Sequence, residues 1–242
     1  MKIIALTGAP GVGKDLFAQL AAEQAGYEKL SFAEQLYREV SEAFEIPIAN
    51  LQDRATKESP HPALRWSTCR DPEFRAVLAQ YARTTNATPS EEERQFSPRE
   101  ILKLWGTEYR RREDPAYWIT PVLGKLHYYR LHRVVGCTIS DLRFLDELRA
   151  LTIFDPLVIR LFRFNQPPRL GWLYKLRKIG AGPNKIIPLR SYHASEWLWM
   201  QRAGDIDLYN NGTVESLKSV VRQITQQQLA AEKPSFPAQW CC

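Results

Sequence analysis

An α/β fold, with a doubly wound parallel sheet of about five strands and helices on both faces, is predicted by three observations. The chain opens in the order strand, glycine-rich turn, helix, strand, helix: KIIALT, GAPGVGKD, DLFAQLAAEQAG, YEKLSFA and EQLYREVSEAF, the usual beginning of such a sheet. Further β-rich runs, RVVGCTIS (133–140), LVIRLF (157–162) and DIDLYN (205–210), recur among helical stretches. The length of 242 residues, with 44% hydrophobic and 25% charged residues, suits one α/β domain carrying insertions.

The elements follow in order. Residues 2–7 form the first strand, and the helix over 15–26 ends at Gly26, a good C-cap. A short strand over 27–33 and an amphipathic helix over 34–44 come next. Residues 45–98 are proline-rich and carry the acidic run Glu91-Glu92-Glu93, so they read as an insertion with a helix near 71–83 and a mobile connection near 84–97. Ser97 then caps a helix through SPREILKLWGTEYRRR, with Pro98 at its first position and Glu100 in its first turn. A second helix covers 115–131, and FLDELRAL (144–151) is helical. Residues 164–192 hold four prolines, three glycines and six Arg or Lys, the composition of a lid or long loop. A helix over 193–204, the strand DIDLYN and a last helix over 213–232 complete the fold, and the tail 233–242 is expected to be disordered. The core is therefore 1–44 with 133–231, and 45–132 is a helical insertion.

The bulk chemistry narrows the classes. No apolar stretch is long enough to span a membrane, and no leader pattern precedes the first strand, so a cytoplasmic protein without a membrane partner is expected. Cys69 and Cys137 stand apart from Cys241-Cys242, without zinc-ligand spacing or a disulfide framework. A net charge of +6 suits a protein that handles phosphates. No nucleic-acid-binding module is recognisable, so nucleic acid is not the expected partner.

GAPGVGKD, residues 8–15, carries the most specific chemistry. A glycine-rich turn between strand and helix lets successive backbone N–H groups face one anion, and the helix N-terminus adds about half a positive charge. Gly8, Gly11 and Gly13 permit the path, and Lys14 reaches the β- and γ-phosphates of a bound nucleotide. Gly8, Ala9, Gly11, Val12, Gly13, Lys14 and Asp15 are thus expected to bind ATP, in a P-loop NTPase fold. The usual hydroxyl after the lysine is replaced by Asp15, which suits a first helical turn and can ligate Mg²⁺ directly or through water.

GVGKD, LKLWGTEYRR with DPAYW, SDLRFLDE, YHASE and DLYNNGTVESL together resemble the deoxynucleoside monophosphate kinases of bacteriophages, P-loop enzymes of the adenylate-kinase type. The resemblance is scattered through most of the chain, weakest across 45–95 and absent from the tail. It implies transfer of the γ-phosphoryl of ATP, with Mg²⁺, to a deoxynucleoside monophosphate, giving dNDP and ADP. It makes 45–132 the acceptor-binding region and 164–192 the lid, and it allows a homodimer. It departs at Leu16, where the family carries Thr, removing another hydroxyl from the metal site.

Elementary chemistry agrees with that activity. A phosphate monoester has a second pKa of about 6, so the acceptor is already a nucleophile at neutral pH. It needs positive charge and in-line alignment rather than a base. Asp141, where a buried strand ends, can hold Mg²⁺ through water, and Arg143 can clamp a phosphate, unless the two simply pair with each other. The resemblance makes Arg163 the lid-side arginine. Arg99, Gly106, Thr107, His193 and Glu196 become acceptor-side residues, and Asn211 and Gly212 the turn against adenine. Lys14, Arg143, Arg163 and Asp141 are the catalytic candidates, with Asp15 and Asp141 at the metal. Arg110, Arg111 and Arg112 read as a solvated helix face, and Trp105 and Tyr109 as core, with base stacking the alternative.

Two rivals remain. A dephospho-coenzyme A kinase or other small-molecule alcohol kinase benefits from a carboxylate base, yet LSFAEQLYREV after the second strand holds no Asp. A basic P-loop ATPase acting on nucleic acid needs a motor element that is not recognisable here.

Overall fold

The computed structural model describes residues 1–84, 94–163, 204–230 and 239–241. The expected lid, and the expected helix over 193–204 except its last residue, lie outside them. The chain divides into two units, Met1–Ser31 with Lys125–Cys242, and Phe32–Gly124.

The first unit is α/β. Five parallel strands, β1 (Lys2–Gly8), β2 (Glu28–Leu30), β3 (Gly136–Ile139), β4 (Leu157–Phe162) and β5 (Ile206–Tyr209), lie in the order β2-β3-β1-β4-β5. A short sixth strand, β6 (Gln239–Cys241), runs parallel to β5 at the edge. The disorder expected of 233–242 therefore does not hold for 239–241, where backbone pairing with β5 uses an otherwise open sheet edge.

β4 is buried at all six positions, as expected of a parallel strand covered on both faces. Helices α1 (Lys14–Ala25) and α9 (Val214–Ala230) cover one face. Their Phe17, Leu20, Leu217, Val221 and Ile224 meet Ile4, Leu6, Ile159, Leu161 and Leu208 in one core. Gly26 ends α1 in the left-handed region, its N–H donating to the Ala21 and Ala22 carbonyls. Between β3 and β4 lies α8 (Leu145–Leu151).

On the opposite face, Thr7, Arg160 and Asp207 share one register row across β1, β4 and β5. Arg160 is 7% exposed. It makes a fork-to-fork pair with Asp207, Nε to Oδ1 at 2.9 Å and a terminal nitrogen to Oδ2 at 2.7 Å.

The second unit is helical: α2 (Ala33–Phe44), α3 (Ile48–Gln52), α4 (Pro72–Thr84), α5 (Pro98–Lys103), a π-helical stretch (Leu104–Arg110), α6 (Arg111–Glu113) and the start of α7 (Ile119–Leu131). Its core gathers Val40, Phe44, Leu51, Leu64, Phe74, Leu78, Phe96, Ile101 and Trp105.

Several expectations need correction. α2 belongs with this unit and not with the sheet, because its apolar face, Val40 and Phe44, packs into the helical core. The far boundary falls at Gly124, inside α7. Residues 94–97 are not a mobile connection: Phe96 is fully buried, its N–H donates to the Leu64 carbonyl, and Arg65 bridges Gln95. Ser97 and Glu100 form a reciprocal capping box that starts α5 where the sequence places it. The helix then widens to π geometry at Leu104, which displaces the residues after it from the faces an α-helical period assigns them.

Candidate functional site

In the first unit, Gly8–Asp15 joins β1 to α1 as a tight curl. Gly8, Gly11 and Gly13 have φ values of 144°, 80° and 103°, a region that disfavours any side chain. A Cβ on Gly8 would collide with the Leu161 carbonyl oxygen of β4. The Lys14 ammonium folds back over the curl and donates to the Gly8 and Ala9 carbonyls, each at 2.9 Å. Ala9 and Val12 are buried beneath the loop and join the core. Gly11 and Asp15 are exposed. Asp15 occupies the first turn of α1, where a carboxylate meets the positive end of the helix dipole.

The carboxyl ends of the neighbouring strands complete this region. Asp141 follows β3, is 8% exposed, and its Oδ2 accepts a 2.7 Å hydrogen bond from Ser31 Oγ just beyond β2. Arg143 is exposed, with its backbone N–H donating to Glu147 Oε2 at 2.9 Å. Glu147 is 3% exposed and also accepts from the Phe144 N–H at 3.0 Å, so it fixes the turn that carries Arg143. Arg163 is exposed at the first position beyond β4.

Asn211 and Gly212 are exposed in the turn before α9. Thr213 caps that helix, its Oγ1 accepting from the Ser216 N–H at 3.2 Å. Asn210 does more than either neighbour: it is 5% exposed, and its Nδ2 donates to the Val12 carbonyl of the loop at 2.8 Å.

In the second unit, Arg99 is half exposed, pairs with Glu58 through Nε, and sends its backbone N–H to the Lys57 carbonyl. Gly106 and Thr107 are half-buried in the π-helical stretch. The Gly106 carbonyl accepts from Trp118 Nε1 at 2.9 Å, and a Cβ on Gly106 would press on Leu36 at 3.3 Å. His193 and Glu196 lie outside the described residues.

Trp105 and Tyr109 are core residues, at 2% and 3% exposure. Arg110, by contrast, is not on a solvated face. It lies over the rings of Tyr109, Tyr117 and Trp105 and pairs with Glu39 at 3.3 Å and Asp71 at 3.7 Å. Glu39 is the hub: it accepts from Trp105 Nε1 (2.9 Å), Tyr117 Oη (2.8 Å), Arg110 Nε (3.3 Å) and Gln35 Nε2 (3.2 Å). Burial, and the neighbouring Glu39 that the hydroxyl donates to, push Tyr117 up to about 12.

The sequence reading named the loop, Asp141 and the arginines, and did not name Asn210, Ser31 and Glu147 beside them or the hub at Glu39. Only Asn210 had a local signal: a polar side chain closing an apolar strand at the end where ligands gather. No family model matches this chain, and no curated protein matches it either.

Proposed function

We propose that this chain is a P-loop kinase that transfers the γ-phosphoryl of ATP to deoxynucleoside monophosphates. The observation that carries the reading is the Lys14 ammonium, held over a three-glycine curl at the N-terminus of a twelve-residue helix. A polyphosphate entering there exchanges the Gly8 and Ala9 carbonyls for its own oxygens around that ammonium. Positive φ at successive glycines is the backbone that turns N–H groups toward one anion. The order of the motifs along the chain favours a phosphate acceptor, and exposed Arg143 and Arg163, next to the strand ends, suit charge neutralisation.

Mg²⁺ accompanying the nucleotide needs only one or two protein carboxylates, keeping waters and phosphate oxygens as its other ligands. Among the described residues there is no cluster of three or more metal-ligating side chains, and this chemistry does not require one. Asp141, steadied by Ser31, and Asp15 are the residues that would hold the ion, directly or through water. When bound, it would neutralise the β- and γ-phosphates.

The test is chromatographic. Full-length protein is incubated with ATP and Mg²⁺ and, separately, each of four dNMPs, dephospho-coenzyme A and single-stranded DNA. Formation of dNDP with matching ADP supports the proposal. ADP that appears only with the alcohol or with DNA replaces it with the corresponding rival. Lys14→Ala is expected to abolish transfer with its circular dichroism unchanged, and normal turnover in that variant would overturn the role of the loop.

A further inference from the structure

We propose that Asn210 is a positioning residue for the phosphate loop, its buried amide holding the Val12 carbonyl and thereby aiming the Gly13 N–H. The inference rests on the nucleotide-site reading above and adds a residue 198 positions from the loop's Val12. A trans peptide plane points its C=O and N–H in opposite directions. The Val12 carbonyl and the Gly13 N–H share one such plane. Asn210 Nδ2, donating to that carbonyl at 2.8 Å, turns the Gly13 N–H to the side away from itself.

Two further observations make the contact a built one. Asn210 is anchored by its own backbone, whose N–H donates to the Phe162 carbonyl at 2.8 Å, so the amide projects from a fixed strand end. Gly13, with φ at 103°, sits so close that a Cβ there would lie 2.5 Å from Asn210 Nδ2. The close approach of loop to amide is thus one reason why position 13 must be glycine.

An amide suits this place chemically. It is a donor toward the carbonyl, it carries no charge to repel an anion held by the loop, and at 5% exposure water does not compete for it. A carboxylate of the same shape would face a carbonyl oxygen and add a negative charge beside the phosphates. Asn210 also directly precedes Asn211 and Gly212, so the ends of the site proposed for phosphate and for base would be set by consecutive residues.

The experiment titrates ATP and inorganic tripolyphosphate into the full-length protein by calorimetry from pH 8 to pH 5. The chains compared are wild type, Asn210→Leu, Asn210→Asp and the core control Ile224→Ala. Wild type is expected to bind both ligands. Asn210→Leu is expected to weaken both by the same factor, about tenfold, as loss of one buried hydrogen bond gives. Asn210→Asp is expected to be weaker still at pH 8, with its deficit relative to wild type shrinking toward pH 5. Burial beside a carbonyl oxygen and a bound anion raises the new carboxyl above its ordinary value of about 3.9, and only the protonated carboxyl can donate to Val12. Ile224→Ala should lose stability and keep its affinity.

The inference is overturned if wild type binds both ligands while Asn210→Leu binds tripolyphosphate as tightly, or if the Asn210→Asp deficit is flat with pH. Should Asn210→Leu fail to fold, the pH profile of Asn210→Asp decides alone. If wild type binds neither ligand, the nucleotide-site reading itself fails, a result distinct from the others.

Discussion

Replacing Glu39 with alanine takes one acceptor away from four donors at once, and its cost can be worked donor by donor. Trp105 Nε1 is in a residue only 2% exposed, so its N–H has no route to water. An orphaned buried donor costs about 1–3 kcal/mol. Arg110 keeps its contacts to Asp71 and Tyr109, and its side chain is 21% exposed, so loss of the Glu39 partner adds about 1 kcal/mol. Tyr117 and Gln35 are partly exposed and can turn to solvent. The expected total is about 3 kcal/mol. Glu39→Gln should cost far less. Its remaining oxygen can keep Trp105, while the hydroxyl of Tyr117 and the amide of Gln35 can both reverse to accept from the new NH₂. What is lost is the charge on the Arg110 bond, about 1 kcal/mol. Urea unfolding followed by tryptophan fluorescence reads the difference. With slopes of about 1–3 kcal/mol per molar for small proteins, alanine should lower the midpoint by roughly 1–3 M and glutamine by under half as much. The reasoning is refuted if alanine shifts the midpoint no more than glutamine does, or if neither shifts it.

Two further outcomes follow from buried groups in the two units. Asp207→Ala removes the fork-to-fork partner of the buried Arg160 guanidinium, and removal of one partner from a buried pair costs about 3–5 kcal/mol. Arg160 still lies over the Phe162 ring, so the low end is expected, and a thermal melt within a degree of wild type would contradict it. Burial pushes the Cys69 thiol up to about 11 and the Cys137 thiol up to about 12. Both should resist iodoacetamide at pH 8.5 in the folded chain and react in urea, as read by peptide mass spectrometry. Because both values are raised, folding opposes ionisation. This contribution is fully present below the ordinary thiol value and is lost as pH rises through the folded values of about 11 and 12.

What the sequence could tell depended on how far apart the interacting residues lie along it. β1, the glycine curl and the start of α1 were readable because apolar run, glycines and lysine fall within adjacent positions and their geometry is local. Glu39 was not, since Trp105, Arg110 and Tyr117 lie 66, 71 and 78 residues downstream. Arg110 was misread for a sharper reason. In a run of three arginines the α-helical period puts it outside, but the π-helical stretch over 104–110 adds residues per turn and swings it in over the aromatic rings. The amphipathic pattern of α2 showed that one face is buried, yet a pattern names no partner, so α2 was assigned to the sheet and not to the helical unit.

Several of the polar residues buried in the first unit gather at one end of its sheet. Burying a polar side chain is unfavourable unless it is hydrogen-bonded, so a fold built for stability alone would spread such groups thinly. Here Thr7, Asp141 and Asn210 are all buried at or just past the carboxyl ends of β1, β3 and β5. Ser31, just past β2, bonds to Asp141. Asn210 and Lys14 direct donors to backbone carbonyls of the glycine curl, and among the described residues Thr7 Oγ1 has no hydrogen-bond partner. In parallel α/β sheets this is the end where ligands bind, and local departures from stability rules gather at functional sites. The same end of the sheet holds three glycines at positive φ and the exposed Arg143 and Arg163. A purely structural account would have to explain each of these separately, whereas an anion held by the loop accounts for the glycines, the lysine and the arginines at once.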